Sequence, residues 1–268
     1  MKSREDKLYF GGHIVAFIDI LGQSAKLSKL KKSKWWEFNQ ETLTALQETY
    51  WRVLRFREIF NGFLSRFCRP SVLDTIFQEL SDPSKQETWN HFDQSRILVK
   101  GMSDSLVITF PLKVTNGLIP VKSIYGVLVA CASSMLVSLN YRFAIRGAVE
   151  IGPCVYDPRS YEVYGSALND SVYYEKEADW PRILVGAELV KYLEECTNLP
   201  KEPIAFSINS AEAHQCLSLL AQDAASLYYI DYLGTGFKKL SALKNKKGVR
   251  SALGSFEKIN YLTHKINL

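Results

Sequence analysis

Two carboxylates stand where carboxylates are unusual. Asp19 closes an apolar, β-branched run, HIVAFIDI, with Gly22 just beyond it. Asp104 lies at the tip of a candidate hairpin and is preceded by Gly101-Met102-Ser103. Carboxylates held together by a rigid sheet can seat one or two Mg²⁺ or Mn²⁺ ions, which take oxygen ligands and complete their shells with substrate phosphates. Taken singly, Asp19 also reads as a strand end and Asp104 as an Asx-turn residue. The chemistry requires a fold that brings the two acids together.

The elements around them suggest such a fold. Residues 13–20 read as a buried strand, and residues 35–67 carry apolar positions at helical spacing, as one long helix or two joined ones. Residues 69–95 hold two prolines and little periodicity and read as an inserted loop. Residues 96–100 and 105–110 form a hairpin around GMSD. A helix is predicted over 121–139, a strand over 142–151 that stops at Gly152-Pro153, a short strand at 162–164 and a helix over 167–178. A strand at 182–185, a helix at 187–196 and a strand at 227–231 follow. The order β-α-β-β-α-β with later αβ units is an α+β chain of ferredoxin-like pattern, with C-terminal additions and an insert near 69–95. It reads as a single domain over residues 1–268. In such a sheet the first strand neighbours the hairpin, so Asp19 and Asp104 converge above one edge.

Composition narrows the classes. With 268 residues, 47% hydrophobic and 23% charged, the chain is globular rather than disordered, collagenous or coiled-coil. Five scattered cysteines without a CxxC read as free thiols, not as disulfides or a zinc site. His13, His91, His214 and His264 share no metal or triad spacing. The net charge of +5 is mild, and the clusters KLKKSK (29–34) and KNKK (244–247) read as solvated loops, so nucleic acid is not an expected partner. The N-terminal MKSREDK does not read as a signal peptide. The most apolar stretch, 124–139, reads as too short and too serine-rich to span a bilayer. A cytoplasmic protein, with no membrane partner, is expected.

Four ordered motifs carry a resemblance. FIDILGQS (17–24) resembles the F-x-D-I-x-G-F segment of the class III nucleotidyl cyclases. MSDSLVI (102–108) resembles their G-D hairpin, with serine for the usual glycine, and IRGAVEIG (145–152) resembles their R-x-G-x-x-x-G strand, with Ala148 for the middle glycine. GSALNDSVYYE (165–175) resembles G-x-x-V-N-x-A-x-R-x-E. The separation of Asp19 from Asp104 is longer than usual for that family, and the insert at 69–95 accounts for it. The EKEADWPRI run and the tail EKINYLTHKINL are most similar to the stand-alone pyrimidine cyclases of the bacterial Pycsar antiphage systems.

That resemblance implies a nucleotidyl cyclase that converts UTP, or else CTP, to the 3′,5′-cyclic monophosphate and pyrophosphate, a second messenger read by a separate cyclic-nucleotide-binding effector. It implies two metals, Mn²⁺ or Mg²⁺, on Asp19, Asp104 and the Ile20 carbonyl. Arg146 would contact phosphates and Asn169 the ribose. Tyr173 stands where the family has its transition-state arginine, and Arg182 or Lys258 is a candidate substitute for the charge. Lys100 and Glu162 fall near the base-reading positions, where a lysine-acid pair suits adenine and supports ATP as an alternative, or they simply pair across strands. Tyr50 is a candidate to fill the space a smaller base leaves, or else a core residue of the first helix. The resemblance also implies a homodimer with metal acids from one chain and Asn169 from the other. A catalytically inactive cyclase-like regulatory domain, a diguanylate cyclase and a metal-dependent nuclease are the competing readings. The GGDEF-type hairpin and a basic groove that the last two require are not found.

Overall fold

Strand β1 (Tyr9–Ile20) alternates strictly, and its two faces set the architecture. Ile14, Ala16, Ile18 and Ile20 join the main core, whereas Val15 and Phe17 belong to a separate cluster on the opposite face. In the computed structural model the described residues are 8–30, 39–68, 97–112, 119–157, 159–200 and 204–236. The expected insert at 69–95, Lys258 and the C-terminal tail lie outside them.

After β1 come α1 (Gln23–Leu30) and α2 (Gln40–Phe67), then the hairpin β2 (Leu98–Met102) and β3 (Ser105–Leu112). Helix α3 (Val121–Asn140) leads to β4 (Ile145–Asp157). The additions are β5 (Glu162–Gly165), α4 (Ser166–Glu177), β6 (Ile183–Val185), α5 (Ala187–Thr197), α6 (Ile204–Leu217), β7 (Leu220–Gln222) and β8 (Tyr228–Ile230). The sheet runs β2-β3-β1-β4-β6-β8-β7, with β5 paired to β4. Strand β1 is antiparallel to both β3 and β4, and β2 to β3. Thus β3 lies between the parallel pair β1 and β2, which is the split βαβ arrangement of a ferredoxin-like core. The fold is α+β with that core and C-terminal αβ additions.

Phe56, Ile59 and Phe60 of α2, Ile124 and Leu128 of α3, Leu189 and Leu193 of α5, and Ala213 and Cys216 of α6 share one core with the even-numbered residues of β1. Helix α4 lies on the other face, its Ala167 packed with Val15, Val107 and Cys154. All five cysteines are buried and unpaired.

Several expectations need correction. Strand β4 does not stop at Gly152-Pro153 but continues to Asp157. Among the described residues its Gly152 and Pro153 pair only with β1, because the β4–β5 pairing begins at Cys154, so the missing proline N–H costs nothing on the β5 side. Tyr50 is not a core residue: it is 59% exposed, with Trp51 57% exposed beside it. The 28-residue α2 is about 42 Å long, and its first half outruns the sheet it packs against. Helix α3, at 20 residues, is long and apolar enough to cross a membrane, contrary to the estimate from 124–139, yet 83% of that stretch is buried inside the protein. It is a core helix here. Helix α1 and strand β7 were not expected, and neither was α6, whose inward positions carry Asn209 and Glu212. Asn209 explains that polarity: its Oδ1 accepts from Val121 N (3.1 Å) and its Nδ2 donates to Ile119 O (3.0 Å). It caps α3 from outside, since the α3 N-cap residue, Pro120, offers no side-chain acceptor.

Candidate functional site

Strand register brings the predicted residues of β1, β3 and β4 into one row. Asp19 lies opposite Ser105 on β3 and opposite Arg146 on β4. All three therefore sit on the α4 side of the sheet, at the C-terminal end of β1. The Ser105 hydroxyl donates to Asp19 Oδ1 at 2.9 Å.

Asp104 reaches the same end through a two-residue turn, since Met102 pairs with Ser105. Ser103 has φ of +56°, and it is the first central residue of this turn. Hairpin turns of that kind favour glycine at this position. Ser103→Gly should therefore leave stability unchanged or raise it by up to about 1 kcal/mol, as relief of left-handed backbone offsets the added freedom of the unfolded chain. A drop of the thermal midpoint would show that the serine side chain contributes. The turn is closed onto β1 by Ile20 N donating to Asp104 O at 3.3 Å.

The electrostatics of this row suit a cation. Burial pushes the Asp19 carboxyl above its ordinary range, while the Ser105 hydrogen bond opposes the rise. Asp104 and Glu175 push it further up, and Arg146 pulls it down. A divalent cation between two such acids would reverse their repulsion. No group of three or more His, Cys, Asp or Glu side chains able to hold a metal occurs among the described residues. Two carboxylates alone would leave most ligands of a hard cation such as Mg²⁺ to water and phosphate.

Arg146 meets a partner that sequence reasoning did not assign. Its Nε lies 2.6 Å from Oε1 of Glu175, which is buried on α4. The contact is an ion pair without hydrogen-bond alignment. Ser171 ties the same helix to the sheet by donating to Val15 O at 3.1 Å. Ala167, Ser171 and Glu175 form the buried face of α4. Asn169 and Tyr173 fall on the opposite, exposed side, and Tyr173 is 60% exposed. The structure does not bring these two to Asp19 of the same chain.

Lys100 and Glu162 do meet, with Nζ 3.3 Å from Oε1. Lys100 pairs with Val107, which pairs with Phe17, so this ion pair shares the face of Asp19. Both side chains are accessible, and such a pair adds little stability. Arg182 has other partners: Nη1 is 2.5 Å from Asp223 Oδ2, Nη2 donates to Glu177 O, and the guanidinium lies 5.0 Å from the centre of the Trp180 ring. It braces β6 against the turn before β8. Tyr50 belongs to α2, on the other face of the sheet, next to Thr49, whose carbonyl accepts from Gln23 Nε2 at 2.8 Å.

Two more charged groups carry structure that the sequence concealed. Glu150 on β4 is buried and accepts from Ile151 N (2.7 Å), Leu189 N (2.8 Å) and Glu188 N (3.3 Å), so it caps α5. Arg57 on α2 donates to the Ser103 carbonyl at 3.0 Å. The only sequence signal for Glu150 is a carboxylate inside an apolar strand.

No family model and no curated protein matches this chain. Among solved structures, the crystal structure of the adenylyl cyclase CyaB from P. aeruginosa is similar over 70% of this chain and 83% of that one, at 16% identity and a TM-score of 0.39.

Proposed function

We propose that this protein is a nucleotidyl cyclase acting on a pyrimidine nucleoside triphosphate, UTP first and CTP second. The observation that carries the reading is the convergence of Asp19 and the Asp104 turn at one end of a ferredoxin-like sheet, with Arg146 in register beside them. The choice of a pyrimidine, and a role in antiphage defence through a separate effector, rest on the motif resemblance.

In this reading Asp19, Asp104 and the Ile20 carbonyl hold the divalent cations, Mn²⁺ or Mg²⁺, with the triphosphate. When bound, the cations lower the pKa of the attacking hydroxyl and neutralise charge on the departing pyrophosphate. The ribose 3′-oxygen forms a bond to the α-phosphorus, the bond from that phosphorus to the bridging oxygen breaks, and the hydroxyl proton leaves to solvent. Asp19 and Asp104 fix the position of the α-phosphate, and Arg146 presents a cation to the phosphate oxygens. For that, Arg146 must exchange its contact with Glu175 for the substrate. Asn169 and Tyr173, on the outer face of α4, serve a second copy of the chain. The site is then completed in a homodimer, and activity falls on dilution.

The Lys100–Glu162 pair favours a second reading, an adenylate cyclase, because a lysine donor beside an acidic acceptor suits the acceptor and donor of adenine once the two exchange their mutual contact for a base. Incubation of the purified chain with ATP, GTP, CTP and UTP, each with Mn²⁺, separates the two. Cyclic UMP or CMP, identified by mass spectrometry, supports the first reading. Cyclic AMP alone moves the assignment to the second, and no cyclic product from any of the four leaves an inactive cyclase-like domain or an enzyme awaiting its trigger.

A further inference from the structure

We propose that Arg57 is a positioning residue that straps the Asp104 hairpin in place, an inference that rests on the metal-binding reading of Asp104. The hairpin needs such a strap. Among the described residues, strand β2 is the edge of the sheet and is paired only with β3. Its turn carries a non-glycine residue at positive φ, Ser103. The bond that ties the turn to β1, from Ile20 N to Asp104 O, is long at 3.3 Å. An edge hairpin held by so little opens easily.

Arg57 supplies the missing restraint from the opposite face. Gly101 pairs with Leu106, so it faces the core side of the sheet, where α2 lies. The Arg57 guanidinium rests against the Gly101 backbone: a Cβ at residue 101 would lie 2.2 Å from its Cζ and 2.3 Å from its Nε. From there Nη2 donates to Ser103 O at 3.0 Å. A charged donor to a carbonyl is stronger than a neutral one. The Nε atom is buried and makes no hydrogen bond among the described residues, so the guanidinium accepts a polar cost in reaching the turn. One side chain thus connects the long helix on one face to the carboxylate on the other. Gly101 is glycine because the arginine passes over it. A strand interior otherwise disfavours glycine.

The test is Mn²⁺ affinity, read by the loss of the free-ion electron paramagnetic resonance signal in the presence of the unreactive α,β-methylene analogue of UTP. Wild type, Arg57→Ala, Arg57→Lys, Gly101→Ala, the Arg57→Ala/Gly101→Ala double variant and Asp104→Ala are compared, with thermal midpoints alongside. Partners that orient a metal ligand typically account for 10- to 100-fold in affinity. Arg57→Ala and Gly101→Ala are each expected to weaken Mn²⁺ binding by that range. The double variant is expected to be no worse than either single one, since both remove the same strap. Arg57→Lys is expected to recover part of the loss, and it carries the test together with Gly101→Ala if Arg57→Ala does not fold. Wild-type affinity in Gly101→Ala and Arg57→Lys, with binding lost in Asp104→Ala, overturns the role of Arg57 and leaves the metal reading standing. Wild-type affinity in Asp104→Ala overturns both. A fall in thermal midpoint without a change in Mn²⁺ affinity assigns Arg57 to stability alone and overturns the proposal.

Discussion

On the proposed cyclase reading, Asp104→Ala is expected to lower turnover by about a hundred- to a thousandfold while leaving the thermal midpoint unchanged or slightly raised. The two effects have opposite signs for one reason. Among the described residues the Asp104 carboxylate has no hydrogen-bond or ion-pair partner, so its removal breaks no such contact there. What it does have is a like-charged neighbour, because Asp104 pushes the Asp19 carboxyl upward. Relief of that repulsion is worth a few tenths of a kcal/mol at an accessible site. Its turn contribution is the backbone carbonyl that accepts from Ile20 N, and alanine keeps it. The activity loss is far larger because charge at a reacting phosphoryl group commonly accounts for two to three orders of magnitude per lost group. Thermal melts without added metal, paired with product formation from UTP and Mn²⁺, check both halves. A carboxylate that merely terminated the hairpin would lower stability and spare turnover, and that pattern would refute the reading. Asp19→Ala is a less clean probe, since it also strands the Ser105 hydroxyl that donates to it.

Asp19 and Asp104 were legible in sequence because each interrupts a pattern. One ends an apolar strand, and the other sits in a glycine-bearing turn between two β-branched runs. Strand alternation and hairpin position then place them together without any knowledge of side chains. The split βαβ core was legible because β1, β3 and β4 are apolar, β-branched runs and α2 and α3 repeat at helical spacing. What stayed hidden depends on partners distant along the chain. Arg57 looks like an ordinary flank of an amphipathic helix until Gly101 is placed beneath it. Arg182 could serve as a free cation until Asp223 is folded against it. Helix α6 hides its inward face because Asn209 is used there as a cap for another helix. Tyr50 falls on a helical stripe whose apolar spacing continues past the end of the sheet, and periodicity alone does not say where a helix runs out of neighbours.

Glu150 gives the largest expected effect on stability. Its carboxyl is pushed up to about 7 from 4.5, first by burial, against three backbone N–H donors that pull it down, and with Asp170 adding to the rise. The start of α5 also favours the ionised form, but a helix end is worth about 1 kcal/mol and burial outweighs it here. The folded state therefore binds a proton more tightly than the unfolded chain does. Its contribution is fully present below pH 4.5, and it is lost as pH rises through about 7. Across that window the loss is on the order of 3 kcal/mol. In Glu150→Gln the group cannot ionise. The amide oxygen still accepts from Ile151 N and Leu189 N, while the amide nitrogen faces Glu188 N–H and gives up that bond, at a cost of about 1 kcal/mol. The variant is thus slightly less stable than wild type at pH 5, and it becomes the more stable of the two by pH 8. A protein of this size gains roughly 2–4 °C per kcal/mol, so its thermal midpoint relative to wild type should climb by several degrees between those two values. Parallel curves would mean that Glu150 keeps its charge throughout and that the helix end, not burial, governs it.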